Sequence, residues 1–177
     1  MSAHTAKHES GHVICNLALG RPFEFVELVE PESLCAADLD GQQDTTVSGF
    51  VGGRVHYDDE PVADFNRAII LMGGVAGERI NQRVRTLTFI DILRSAELDY
   101  EQAKKICSEA EIDVALRRAH AIVQRHRAAH EAIASALLER GRLSYEGCVE
   151  MWRLKSQPQS ISEQATDMYL PQDRRKQ

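Results

Sequence analysis

The sequence predicts a mainly helical α+β domain with a small β-sheet and a C-terminal helical part. Three observations predict it. Apolar residues recur at helical spacing over residues 3–19, from the segment after Pro61 to about Arg83, and almost throughout Ser95–Arg140. Only residues 23–30 and 47–57 are rich in β-formers. The chain has 177 residues, 43% of them hydrophobic, which is enough for one real core. Residues 1–156 are expected to form that domain, and the polar residues 157–177 a loose tail.

The first helix, residues 3–19, carries Val13, Ile14, Leu17 and Ala18 as an apolar stripe. Gly20 and Pro22 stop it. "FEFVELVE" (23–30) reads as a strand, and the polar stretch 31–46 as a loop. "VSGFVGGRVHY" (47–57) reads as a second strand whose glycines suggest an edge or a close backbone approach. "DDEPVADF" announces a helix with Pro61 in its first turn. That helix should bury Ile69, Ile70, Met72, Val75 and Ile80. Residues 85–94, "RTLTFIDILR", carry no decisive pattern. A single helix from Ser95 to Arg140 is too long for such a domain, so a break is expected near Ser108. Gly141 ends the helical run, and a short helix follows from Ser144.

Composition excludes several functions. The net charge is −6 and the isoelectric point about 5.6, unlike the basic surfaces that bind nucleic acid. The basic run "LRRAHAIVQRHRAAH" reads as a solvated helix face. Cys15, Cys35, Cys107 and Cys148 are scattered without a C-x-x-C pair, so reduced thiols in a cytoplasmic protein are expected. No secretory signal is visible. The most apolar segment, "AIILMGGVAG", is shorter than the roughly 20 residues a membrane helix needs. No phosphate-binding G-x-x-x-x-G-K-[ST] occurs, so no ATPase activity is expected.

The chemistry concentrates in "TAKHESGHVIC". His8 and His12 stand four apart, on one face of a helix, and can present two imidazole nitrogens to one ion. Zinc accepts such nitrogens at about 2.0–2.1 Å. Glu9 points to an adjacent side, where it can reach a water on the metal. Such a water is acidified from a pKa of about 15.7 toward roughly 7, and Glu9 suits the role of general base. Two histidines on an amphipathic helix are also compatible with an ordinary exposed face. Gly11 argues otherwise, because glycine inside a helix costs about 1 kcal/mol relative to alanine unless close packing compensates. A third ligand, Asp, Glu or His, is required. No histidine follows His12 closely, and His4 on the same straight helix would strain a tetrahedral site. The third ligand must come from a distant segment.

"AKHESGHVICNLAL" resembles the start of the peptidase domain of the FtsH family of ATP-dependent zinc proteases, whose helix carries H-E-A-G-H. Later segments agree in order. "MGGVAGERI" (72–80) is similar to the family's glycine-rich helix. "SAELDYEQAKKI" (95–106) is similar to the segment supplying an aspartate as third zinc ligand. "AHEAIASALLERGRLSYEGCVEM" (129–151) is similar to its closing helices. The resemblance covers most of residues 5–152. It implies a zinc metallopeptidase with His8, His12 and Asp99 on Zn²⁺ and Glu9 as catalytic base. Asp91 and Glu97 are the alternative acids, and Glu78 is a structural or supporting residue. Unfolded proteins or peptides are the implied substrates. "SGFVGG", with Phe50, Val51, Gly52 and Gly53, is a candidate strand for pairing with a substrate backbone. Without a phosphate-binding loop, the chain is expected to act alone, as a homo-oligomer, or with a separate ATPase. The rival reading is a metal-binding but inactive scaffold or regulator. His126 and His130 are also four apart, but Arg127 follows the first, so both are expected to be exposed helix residues.

Overall fold

The computed structural model describes residues 2–29, 52–56, 64–81 and 97–156. The loop 31–46, the N-terminal part of the second strand with Phe50 and Val51, Pro61, the segment 85–94 with Asp91, and the tail from 157 lie outside the described residues. The chain order is α1 (Ala3–Ala18), β1 (Phe25–Val29), β2 (Gly52–His56), α2 (Asp64–Glu78), α3 (Glu97–Lys104), α4 (Glu109–Arg125), α5 (Arg127–Arg140), β3 (Arg142–Ser144) and α6 (Tyr145–Ser156). The fold is mainly helical α+β, as expected from the sequence. No helix among the described residues is long and apolar enough to cross a membrane.

Helix α1 is central. Ser2 caps it, its side chain accepting the His4 N–H at 3.2 Å. Gly20 ends it with a left-handed φ of 67°. Ala6, Val13, Ile14 and Cys15 are fully buried, and the helix packs on α2 along one side and on α5 along another. Helix α2 lies between α1 and α4, and α3 rests against α2. Ile69, Ile70, Met72, Val75 and Ile80 are buried, as the periodicity requires. The α2 helix ends at Glu78, short of Arg83, and residues 79–81 form a turn.

The contact between α1 and α2 is made backbone to backbone. A Cβ on Gly11 would run into the Gly73 carbonyl and stand 3.1 Å from Gly77 Cα. A Cβ on Gly73 would stand 2.8 Å from the Gly11 carbonyl oxygen. Real side chains do not tolerate such separations, so the glycines on both helices set how closely the helices approach. This close packing offsets the cost of glycine within α1.

The sheet is three-stranded with order β2-β1-β3, and both pairs are antiparallel. Val26 is paired with Val55 and with Leu143, and alternate β1 residues face the core. Arg142 places its guanidinium 3.4 Å from the Phe25 ring centroid. Strand β3 was not expected from the sequence. Three residues carry no readable period, and pairing with β1 creates the strand.

The expected break at Ser108 is present. The Glu111 carboxylate accepts the Ser108 N–H at 2.8 Å and its hydroxyl at 2.6 Å, which starts α4. A second break, at His126, was not expected. His126 sits half-buried between α4 and α5, stacked on Trp152 at 3.9 Å, with Nδ1 3.2 Å from Ser156 Oγ. His130 corrects the sequence reading outright. It is fully buried, and its Nε2–H donates to the Lys7 carbonyl at 2.9 Å, tying α5 to α1. Burial pulls its pKa below the usual histidine value.

Candidate metal centre

Helix α1 carries His8 and His12 one turn apart on the face turned toward α2 and α3. Their ring centroids are 4.7 Å apart, edge to face. Each ring is held from behind. His8 Nδ1 lies 2.7 Å from Glu78 Oε1, and a carboxylate there accepts the Nδ1–H. His12 Nδ1 lies 2.7 Å from the Ile70 carbonyl, which can only accept. In each neutral ring the proton is thereby held on Nδ1, so that the Nε2 lone pair faces forward, and a protonated ring instead turns an Nε2–H toward Asp99.

Both Nε2 atoms face Asp99. This residue lies in the first turn of α3, and its Oδ2 stands 3.0 Å from His8 Nε2 and 3.3 Å from His12 Nε2. The three ligand atoms lie within 4.8 Å of one another. Three acceptor atoms cannot converge so closely without a cation among them. Protons supply it if the rings are imidazolium, and a metal ion supplies it if they are neutral. The Asp99 distances are compatible with either. Ligands about 2.0–2.1 Å from a tetrahedral ion stand about 3.3 Å apart. Gly74 completes the cradle, since a Cβ there would collide with the His8 ring and stand 2.8 Å from His12 Nε2. The His8–His12–Asp99 group can therefore hold a metal ion.

The electrostatics follow from this crowding. Burial would lower the His8 pKa, but hydrogen bonds that the protonated ring donates to the Asp99 and Glu78 carboxylates raise it well above the usual value. Burial likewise opposes protonation of His12, and the Asp99 charge outweighs it and raises the pKa. Burial would raise Asp99, but the His12 and His8 imidazoles hold its carboxyl well below the usual carboxylate range. Glu9 is 5% exposed, and burial raises its pKa although both imidazoles act in the opposite direction.

Of the residues expected at the site, His8, His12 and Asp99 are brought together, with Glu9 buried beside them. Glu97 is exposed on α3 and is not part of the group. Gly52 and Gly53 begin β2, in register with Val29 and Leu28 of β1. Two features were not assigned a definite place from sequence. The Glu78 contact with His8 joins residues 70 positions apart, and a glutamate ending a glycine-rich helix was its only trace. Gly74 had a clearer signal, because paired glycines inside a helix are costly without close packing. Cys15 and Cys148 are buried, and burial pushes each thiol up to about 12, so neither is a poised nucleophile.

No protein-family model matches the chain, and no curated protein matches it.

Proposed function

We propose that the protein is a zinc-dependent metallopeptidase, similar to the FtsH peptidase family, that hydrolyses peptide bonds in unfolded polypeptides or peptides. One observation supports this above the others. The tautomers of His8 and His12 are fixed from behind, so that both Nε2 atoms converge on Asp99 Oδ2 with Glu9 alongside. A two-histidine, one-carboxylate donor set is a catalytic zinc pattern, because three protein ligands leave a coordination position open.

His8, His12 and Asp99 would hold the ion, and Glu78 and the Ile70 carbonyl would keep the two rings oriented. When bound, zinc supplies the Lewis acidity that makes a water nucleophilic at neutral pH and polarises the scissile carbonyl. Glu9 removes the proton from the attacking water and later delivers it to the leaving amine. Its burial favours that exchange by raising its affinity for the proton. The β2 strand pairs on one side with β1, and no strand covers its other edge among the described residues. Gly52 and Gly53, without side chains, would offer that edge to an extended substrate backbone. The isolated buried thiols Cys15 and Cys148 fit a reducing, cytoplasmic setting.

The test is Glu9→Gln, which keeps the side chain's size and removes its basicity. Zinc content should be retained and peptide cleavage should fall by roughly 10²–10⁴-fold. Unchanged turnover would reject Glu9 as the base. Zinc binding without cleavage by the wild type would favour the scaffold reading instead.

A further inference from the structure

The carboxylate that orients His8 has a second oxygen that the metal centre does not use. The Glu78 side chain is 2% exposed and gives Oε1 to His8 Nδ1–H. Its Oε2 is buried and accepts no hydrogen bond from the described residues. The group set against Oε2 is the imidazole of His4, with Nε2 at 3.4 Å. His4 lies one turn before His8 on α1, so one carboxylate of α2 faces two histidines of α1 with its two oxygens. The His4 side chain is 63% exposed and forms the solvent side of this arrangement.

A buried carboxylate oxygen without a hydrogen bond needs a positive partner. Imidazole nitrogen and carboxylate oxygen are both ligands for divalent transition metals. Their separation here is close to the roughly 3.3 Å between neighbouring ligands of a tetrahedral zinc. We propose that His4 Nε2 and Glu78 Oε2 form a second, weaker divalent-metal site, completed by water, and that an ion there regulates the first. Only the regulatory part rests on the metallopeptidase reading above.

The coupling has a direct physical route. A cation on Oε2 withdraws negative charge from the oxygen that polarises His8 Nδ1–H. His8 then becomes a poorer ligand at Nε2. Two dications linked through Glu78 and the His8 ring also repel each other. Each ion should therefore weaken the other, by roughly the 5–150-fold of ordinary coupling between sites. Zinc in excess of one equivalent would act as an inhibitor.

The experiment is a zinc titration of the metal-stripped full chain by calorimetry, with the His4 ring followed by NMR. It compares wild type with His4→Ala and His12→Ala. The wild type should bind a tight and a weaker equivalent, with the His4 resonances moving during the second. His4→Ala should lose the weaker event, keep the tight one, and escape inhibition by excess zinc. A single equivalent in the wild type would make His4 only an ion-pair partner of Glu78 and overturn the proposal. A second equivalent that persists in His4→Ala would overturn it as well. The tight event is read separately through His12→Ala. Its absence from the wild type would remove the first metal centre, while the His4-dependent event would still stand or fall by its own signal.

Discussion

His8 Nδ1 lies 2.7 Å from Glu78 Oε1, joining helix α1 to the last residue of α2. The contact fixes both the orientation and the tautomer of the ring. Partners of this kind typically change metal affinity by about 10–100-fold when removed. Glu78→Gln keeps an acceptor oxygen but removes the charge. Zinc affinity is expected to fall within that range while the fold persists, as measured by competition with a chromophoric chelator and by circular dichroism. An unchanged affinity would leave Glu78 with no orienting role.

Gly74 and Gly77 separate two uses of glycine on α2. A Cβ on Gly74 would intrude on His8 and stand 2.8 Å from His12 Nε2, whereas one on Gly77 would meet the Lys7 carbonyl and stand 2.8 Å from His130 Nε2. Gly74→Ala should cut zinc affinity sharply. Gly77→Ala should instead lower stability, by about the 1–3 kcal/mol typical of overpacking, with a smaller effect on zinc. Affinity measurements and denaturant melts on both variants check the distinction.

The pH dependence should reverse on metal binding. In metal-stripped protein, His8 and His12 have pKa values raised above 6.5. Their contribution to stability is full below 6.5 and is lost as pH rises through the raised values. Glu9, raised above 4.5, acts in the same direction from that pH upward. Asp99 is lowered from 3.8, so its contribution is present above 3.8 and is lost only in stronger acid. Zinc, by contrast, needs deprotonated imidazoles and displaces their protons. The melting temperature of stripped protein should be higher near pH 6 than near pH 8. The gain on adding zinc should be larger near pH 8. Equal gains at both would mean that His8 and His12 are not the ligands.

Much of this site was legible in the sequence, and the unread parts have physical causes. His8 and His12 announce themselves because helical geometry turns a spacing of four into a shared face. The break at Ser108 was legible because Ser108 and Glu111 stand at capping-box spacing. His126 has no glycine or proline beside it, and its stacking on Trp152 is a tertiary contact with no local signature. The burial of His130 had a trace that polarity masked. The residue shares a helix face with Ile133, Ala134 and Leu137, all buried, and the distant Lys7 carbonyl is what makes its burial tolerable. Asp99 was located by resemblance, since nothing in its local pattern distinguishes it from Glu97. The tertiary contacts of Asp99 with His8 and His12 are what separate the two acids.

On the proposed metallopeptidase reading, a chain acting without ATP would be restricted in the substrates it can cut. A peptidase cleft must hold an extended backbone, and opening a folded substrate can require up to its full stability of roughly 5–15 kcal/mol. Zinc-loaded protein is expected to cut casein and short peptides, to spare a stable folded domain, and to be indifferent to ATP. Degradation of the folded domain by this chain alone with ATP would contradict that expectation. Stimulation only after adding a separate ATPase would identify a partner acting in trans.

The most direct test is to measure zinc per chain and casein cleavage on the same purified sample, before and after treatment with a chelator and after zinc is restored. One tightly bound zinc per chain is expected, with cleavage lost on its removal and recovered on its return. Asp99→Ala should lower both, and Glu97→Ala neither. Full zinc content and activity in Asp99→Ala, or cleavage that survives complete removal of metal, would contradict the assignment of His8, His12 and Asp99 as a catalytic metal centre.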